Sequence, residues 1–318
     1  MNIACVTGFA GFLGSHFTKY LLDRGWFVYG IDKNCGSIAA REFRYVSKYQ
    51  HFVEIQSDIC DLKKLPDCDY VFNFAAETHV HNSIIDSEQF IHSNVDGVRN
   101  LLEIIRRQSD NVVKKPVFFH ISTDEVYGDQ IDWLACEEDK LNPSSPYSAS
   151  KAAADMLILA WARTYGLEYV ILRPSNNYGT HQHPEKFIPL CVKLALWGKS
   201  IRLHNHGTPK RTWLHVEDTC SAILKLVEKN SRGIYNVSGN LEQTNLLTAS
   251  QILRLMNIDI KEDTFNLDYT RPGQDMRYNI DVTKLKDLGW KHSKHFDEEL
   301  KNVIQWYKDD PEERLFYD

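Results

Sequence analysis

Two acidic residues side by side at the end of an apolar run either handle protons or simply begin a solvated loop. The stretch FFHISTDEVYGD, residues 118–129, places Asp124 and Glu125 directly after Ser122 and Thr123. Crowding and burial raise the pKa of one carboxyl in such a pair, so one stays protonated while its neighbour is ionised. That divides general-acid from general-base work, each worth about 100- to 10,000-fold. A second pair lies in YSASK, where Tyr147 and Lys151 are four residues apart and share one helix face. A free tyrosine, with a pKa of about 10, is a poor base. A neighbouring ammonium favours its phenolate.

The elements that must hold these groups alternate. NIACVTG, FVYGID, HFVEIQSDI, CDYVFNFAA, PVFFHIS and EYVILRP read as six strands. Between them, FLGSHFTKYLLDRG, SNVDGVRNLLEIIRRQ and PYSASKAAADMLILAWARTYG read as helices, the first and third closed by Gly25 and Gly166. Continuous apolar strands separated by helices predict a parallel sheet covered on both faces. From about residue 174 the elements shorten. EDTCSAILKLVEK and FDEELKNVIQWYKDD predict helices there, and GIYNVSG a strand. The expected fold is α/β: a Rossmann-type doubly wound parallel sheet over residues 1–174, carrying the catalytic residues. A smaller α/β substrate-binding unit over 175–318 follows, with some chain exchange between the two. The cleft is expected where the strands end.

TGFAGFLGSH spaces Gly8, Gly11 and Gly14 between the first strand and first helix. That context suits a dinucleotide: a tight turn, backbone amides close to a pyrophosphate, and a helix packed against the sheet. Asp32, ending the second strand, would accept from both ribose hydroxyls and repel a 2'-phosphate, favouring NAD over NADP. Lys33, Arg41 and Arg44 are basic residues close by that pull the other way. Asp58 and Ile59 would lie near the adenine, and Ala75 and Ala76 would leave room beside the dinucleotide.

Composition narrows the remaining classes. The 318 residues carry a net charge of -6, which argues against a nucleic-acid partner. Seven scattered cysteines without a CxxC pair suit a reducing, cytoplasmic compartment. The histidine pairs His79/His81, His181/His183 and His204/His206 lack a third ligand at metal spacing, so no metal is expected. No stretch reaches membrane-span length, and the N-terminus lacks a signal-type pattern.

Taken together, TGFAGFLGSH, FAAETHVHNSI, STDEVYGD, PYSASKAAADM, RPSNNYG, HPEKFIPL, RTWLHVED, YNVSGN and RPGQDMRYNID cover nearly the whole chain. On them it resembles the extended short-chain dehydrogenases/reductases, and among these the nucleotide-sugar 4,6-dehydratases of the dTDP-glucose type. The adjacent Asp-Glu is the selective feature: related 4-epimerases carry small residues there, and decarboxylases usually carry Ser-Glu. The resemblance implies an NDP-hexose, dTDP- or UDP-glucose, converted to its 4-keto-6-deoxy form by internal hydride transfer through bound NAD. Tyr147, assisted by Thr123, would take the 4-hydroxyl proton, Glu125 the carbon-5 proton, and Asp124 would protonate the departing 6-hydroxyl. Cofactor contacts map to Gly8, Gly11, Phe12, Leu13, Gly14, Asp32, Asp58, Ile59, Ala75, Ala76, Tyr147 and Lys151. Substrate contacts map to Asn176, Asn177, Lys186, Arg211, Asn245 and Arg271.

The chain departs from those relatives at His81-Asn82, where Asp-Arg is general, at Thr180-His181, and at Gln274, where His is usual. The first change leaves a UDP-N-acetylglucosamine 4,6-dehydratase, with or without 5-epimerisation, as the alternative. A 4-epimerase, a decarboxylase or a non-catalytic NAD-binding protein rank below it. A homodimer built on helices near 90–108 and 147–165 is also implied.

Overall fold

The computed structural model describes residues 1–35, 49–108 and 115–315; Arg41 and Arg44 lie outside them. Seven parallel strands make the main sheet: β1 (Ile3–Thr7), β2 (Phe27–Asp32), β3 (Phe52–Gln56), β4 (Tyr70–Asn73), β5 (Val117–Ile121), β6 (Tyr169–Pro174) and β10 (Gly233–Val237). Their order is β10-β6-β5-β4-β1-β2-β3. The order in which strands are added therefore reverses between β1 and β4, and a crevice opens beyond the carboxyl ends of those two strands.

Alternate side chains of each strand feed two cores. Ala4, Val6, Phe72, Phe119 and Leu172 pack with Phe17 and Leu21 of α1 (Phe12–Leu22). Cys5, Val71, Phe118 and Ile171 pack with Leu101 and Leu102 of α3 (Gly97–Gln108) and Ile158 of α4 (Pro146–Tyr165). A shorter helix, α2 (Val80–Ile85), lies between β4 and α3.

Residues 175–315 form a second core around β7 (Asn176–Tyr178), α5 (Phe187–Leu196), β8 (Ile201–His204), β9 (Lys210–His215), β11 (Leu241–Thr244), α7 (Asn245–Leu255), β12 (Phe265–Tyr269) and α8 (Phe296–Asp309). Its strands pair as β11-β9-β7 and β12-β8. Within this stretch, α6 (Val216–Glu228) sends Ile223 and Leu226 into the first core beside α1, and β10 completes the first sheet.

Several expected elements are shorter than their sequence patterns, among them the third strand, which stops at Gln56, and two more that bear on the site. The fourth strand ends at Asn73, because Phe74 to Ala76 leave the sheet at the point of reversal. The helix expected from residue 93 is α-helical only from Gly97, with a π-helical turn over His92–Asp96 before it. That turn presents Asn94, whose amide group binds the backbone of Glu77 in both directions and donates to Ser150 Oγ at 2.9 Å.

Candidate active site

The expected cofactor loop lies at the strand reversal. Gly8 has φ +71°, and a Cβ there would sit 2.6 Å from the Ala75 backbone nitrogen. A Cβ on Gly14 would sit 2.0 Å from the Gly8 carbonyl, so neither position accepts a side chain. A cavity of about 320 Å³ opens beside this turn, lined by Gly8, Gly11, Asp32, Asp58, Ile59, Ala75 and Ala76. A second, of about 650 Å³, shares Gly8, Gly11 and Ala76 and runs past Phe12, Leu13 and Gly14 to Thr123, Asp124, Glu125 and Tyr147. Eleven of the twelve expected cofactor contacts thus border this groove of two adjoining cavities, with Tyr147 in the larger one. Lys151 is buried one turn behind.

Asp32 already serves the loop: its carboxylate accepts from Ala10 N at 3.1 Å and Asn34 N at 2.8 Å. Lys33 turns away to pair with Glu77 at 2.9 Å, so this cation does not stand free beside Asp32.

Chain geometry explains the acidic pair. After β5, extended Thr123 caps a short 3-10 turn over Asp124–Tyr127, its Oγ1 accepting from Glu125 N at 3.3 Å. The same hydroxyl donates to Asp124 Oδ1 at 3.2 Å. Asp124 is buried, and its other oxygen, Oδ2, has no hydrogen-bond partner. Burial, with Glu125 beside it, pushes the Asp124 carboxyl up to about 8. A carboxyl at that value is mostly protonated at neutral pH, and Asp124 lines the larger cavity. Burial also raises Glu125, but the cations of Arg211 and Arg271 oppose that rise. The two carboxyls are thus driven apart by unequal access to positive charge.

Helix α4 starts at this site. Ser145 and Ser148 form a reciprocal capping box and Pro146 opens the first turn, which puts Tyr147 at the helix entrance. The Tyr147 amide donates to Ser83 Oγ at 3.1 Å, tying the entrance to α2. Burial, Glu125 and Asp124 raise the Tyr147 hydroxyl above its usual range, and a hydrogen bond to Thr123 opposes them. This differs from the lowering that the spacing of Tyr147 and Lys151 suggests. The Lys151 ammonium is spent elsewhere, donating to the Ile121 carbonyl at 2.7 Å and lying 3.3 Å from His120 Nε2. Burial lowers it to about 8.

The expected substrate residues divide. Asn176, Asn177 and Lys186 line the larger cavity. Asn177 is held at both ends, by Ser175 O and Thr219 Oγ1, whereas Asn176 Oδ1 is buried without a partner. Lys186 Nζ donates to Thr78 O at 2.9 Å, bridging the two units. Arg211 lies behind Glu125, donating to Asp275 O at 3.0 Å with its guanidinium 4.3 Å from the Tyr278 ring centre. Arg271 acts on Glu125 as well, and its buried Nε has no partner. Asn245 opens α7 with its amide on Pro209 O and borders neither cavity.

Tyr278 and Asp275 escape the sequence reading. The Tyr278 hydroxyl lies 3.3 Å from Glu125 Oε2 and 2.8 Å from Asp275 Oδ2. Both sit in RPGQDMRYNID, whose only read positions are Arg271 and Gln274; an aromatic residue three positions after an acid was the available signal. His120 was likewise legible only as a lone polar residue inside an apolar strand.

The family profile described as GDP-mannose 4,6 dehydratase matches residues 5–303. A dTDP-glucose 4,6-dehydratase of Haemophilus influenzae is 38% identical, covering 96% of this chain and 98% of its own length. The solved structure of DesIV, a dTDP-glucose 4,6-dehydratase from Streptomyces venezuelae with NAD bound, superposes with a TM-score of 0.90 at 33% identity over 97% of each chain. A UDP-glucuronic acid 4-epimerase from Bacillus cereus has a similar fold, TM-score 0.89, at 26% identity. Fold alone thus spans several chemistries, and a profile covering nearly the whole chain, with dehydratases at higher identity, places this protein in the GDP-mannose 4,6-dehydratase family.

Proposed function

We propose that this protein removes water from an NDP-hexose, dTDP- or UDP-glucose, giving the NDP-4-keto-6-deoxyhexose. It is an NAD-dependent nucleotide-sugar 4,6-dehydratase, a hydro-lyase of deoxysugar biosynthesis. One observation carries the reading: a buried, partly unengaged Asp124 beside Glu125, whose charge is opposed by Arg211 and Arg271, at the cavity wall shared with Thr123 and Tyr147.

The groove fits NAD, because its turn excludes a Cβ and its two adjoining cavities, which share Gly8, Gly11 and Ala76, reach from Asp32 to Tyr147. Gly8, Gly11, Phe12, Leu13 and Gly14 would hold the pyrophosphate, Asp32 the adenosine ribose, and Asp58, Ile59, Ala75 and Ala76 the adenine side. When bound, NAD supplies the hydride acceptor for carbon 4 and the donor for carbon 6.

The remaining chemistry belongs to side chains. Tyr147, assisted by Thr123, takes the 4-hydroxyl proton, and the N–H of Lys151 left over from its Ile121 and His120 contacts would reach the adjoining ribose. The new 4-ketone acidifies carbon 5, and Glu125 removes that proton. Asp124 donates its proton to the 6-hydroxyl, which departs as water. Asn176, Asn177 and Lys186, which line the larger cavity, would contact the sugar and diphosphate; Arg211 and Arg271, beside Glu125, would turn their forks to phosphate oxygens, and Asn245 would reach the substrate only from outside both cavities.

We place the enzyme in the cytoplasm as a homodimer with residues 1–174 and 175–318 as its two units. Seven free cysteines support a reducing compartment. Among the described residues no helix is long and apolar enough to cross a membrane. For the dimer, Leu101, Leu102, Ile104 and Ile105 of α3 are already consumed inside the chain, so the support is exposed Met156 of α4 and Ile91. Light scattering on a size-exclusion column tests it.

The activity test is a panel of dTDP-glucose, UDP-glucose and UDP-N-acetylglucosamine read by mass. A product lighter by one water is expected from a glucose nucleotide. An isomer of unchanged mass would overturn the reading, and turnover confined to UDP-N-acetylglucosamine would move it to that sugar. Configuration at carbon 5 of the product reports any epimerisation.

A further inference from the structure

The surroundings of Glu125 contain more than a base requires. Tyr278 is buried, and its single hydroxyl hydrogen faces two carboxyls: Asp275 Oδ2 at 2.8 Å and Glu125 Oε2 at 3.3 Å. One hydrogen cannot serve both acceptors fully. The shorter contact takes it, which leaves a Tyr278 lone pair toward Glu125, and that is a hydrogen bond only when Glu125 is protonated. The chain of contacts continues outward. The other oxygen of Asp275, Oδ1, accepts from Ser144 Oγ at 2.6 Å, and Ser144 is exposed. Arg211 fixes the middle of this path, bound to the Asp275 carbonyl and stacked on the Tyr278 ring.

We propose that Tyr278 and Asp275 form a proton path between Glu125 and solvent at Ser144. It rests on Glu125 being the base at carbon 5. After Glu125 takes that proton, its O–H bond breaks toward the Tyr278 oxygen while the Tyr278 O–H breaks toward Asp275 Oδ2. Glu125 returns to carboxylate, Asp275 becomes the carboxylic acid, and no electrons leave any atom. Rotation of the Asp275 carboxyl group then carries the protonated Oδ2 to the Ser144 side, where the proton exchanges with water. Reversing the two transfers returns a solvent hydrogen to carbon 5. Tyr278 and Asp275 are relay residues, acting through Glu125.

The test runs the NAD-loaded enzyme in deuterium oxide and reads deuterium at carbon 5 in product trapped early by borohydride. Wild type is expected to deliver deuterium. Tyr278→Phe, which keeps the ring under Arg211, is expected to retain mainly the original hydrogen, as is Asp275→Asn. A separate assay incubates finished 4-keto product with each enzyme and follows washout of the carbon-5 hydrogen, slowed about tenfold or more in both variants. It reads the path even where forward turnover is lost. Wild-type deuterium content or washout in Tyr278→Phe overturns the proposal, whereas a lower rate with unchanged isotope content assigns Tyr278 a structural role only, which also overturns it. Glu125→Gln in the same assays separates the two levels: full dehydration by that variant would remove the base assignment beneath the path.

Discussion

The two ends of the groove are built from different material. The Asp32 end is mostly backbone: a glycine turn, a helix entrance and the ends of four neighbouring strands, most of it from the first 76 residues. The Tyr147 end is made of side chains that meet from far apart, with Glu125 reached by Tyr278 across 153 positions and Arg211 reaching Asp275 across 64. Backbone sites are specified locally and tolerate many side chains around them. Side-chain sites depend on packing between distant segments, so each member is exposed to single substitutions.

That contrast is broken hardest at Tyr147. Tyr147→Phe should lower turnover about 100- to 10,000-fold while NAD stays in the purified protein; near-normal turnover would remove Tyr147 from the chemistry. Asp124→Asn comes next, with a loss of about 100-fold in turnover. It also carries a pH signature. The Asp124 carboxyl in the folded protein holds its proton up to about 8, whereas an unfolded aspartate releases it at about 3.9. Its contribution to stability is therefore complete at acid pH and is lost as pH rises through that window. Asp124→Asn should melt higher than wild type at pH 8 and close to it at pH 4. Equal melting differences at both values would mean that Asp124 is not held protonated. Wild-type turnover should fall as pH rises past about 8, where the acid form disappears.

The backbone end breaks differently. Gly8→Ala forces a Cβ to within 2.6 Å of Ala75 N at a positive φ, a strain of about 1–3 kcal/mol. Loss of NAD from the purified protein, read by absorbance, is expected, and retained NAD would show that the turn yields. The smallest effect should be at Arg211→Lys, which keeps the charge but loses the fork. KM for the nucleotide sugar should rise about tenfold with a smaller change in kcat, and an unchanged KM would take Arg211 out of the diphosphate site.

The same contrast decides what could be read in advance. Parallel strands, the glycine turn and the closure of α4 at Gly166 follow from local spacing, and they stand within a few residues of where their patterns put them. The acidic pair was legible because both members are adjacent. Tyr278 and Asp275 were not, because nothing in RPGQDMRYNID says that it folds back onto residue 125. Lys151 was legible in position but not in partner: a helical turn places it near Tyr147, while the buried Ile121 carbonyl, one strand away, takes its ammonium. The strand at 233–237 was read as a strand, yet its pairing with β6 depends on a crossover that no local pattern encodes.

That last strand limits how this enzyme could be recombined with its relatives. The chain passes from the first core to the second near residue 175, returns near 216, leaves after 237, and sends Leu285 and Trp290 back once more. A fragment cut after Pro174 would strip β6 of β10 while keeping β5, baring the backbone edge at Val170, Ile171 and Leu172, which invites other chains. Swapping sugar preference between homologues by one splice would therefore yield aggregates; a working chimera needs matched seams at every crossing.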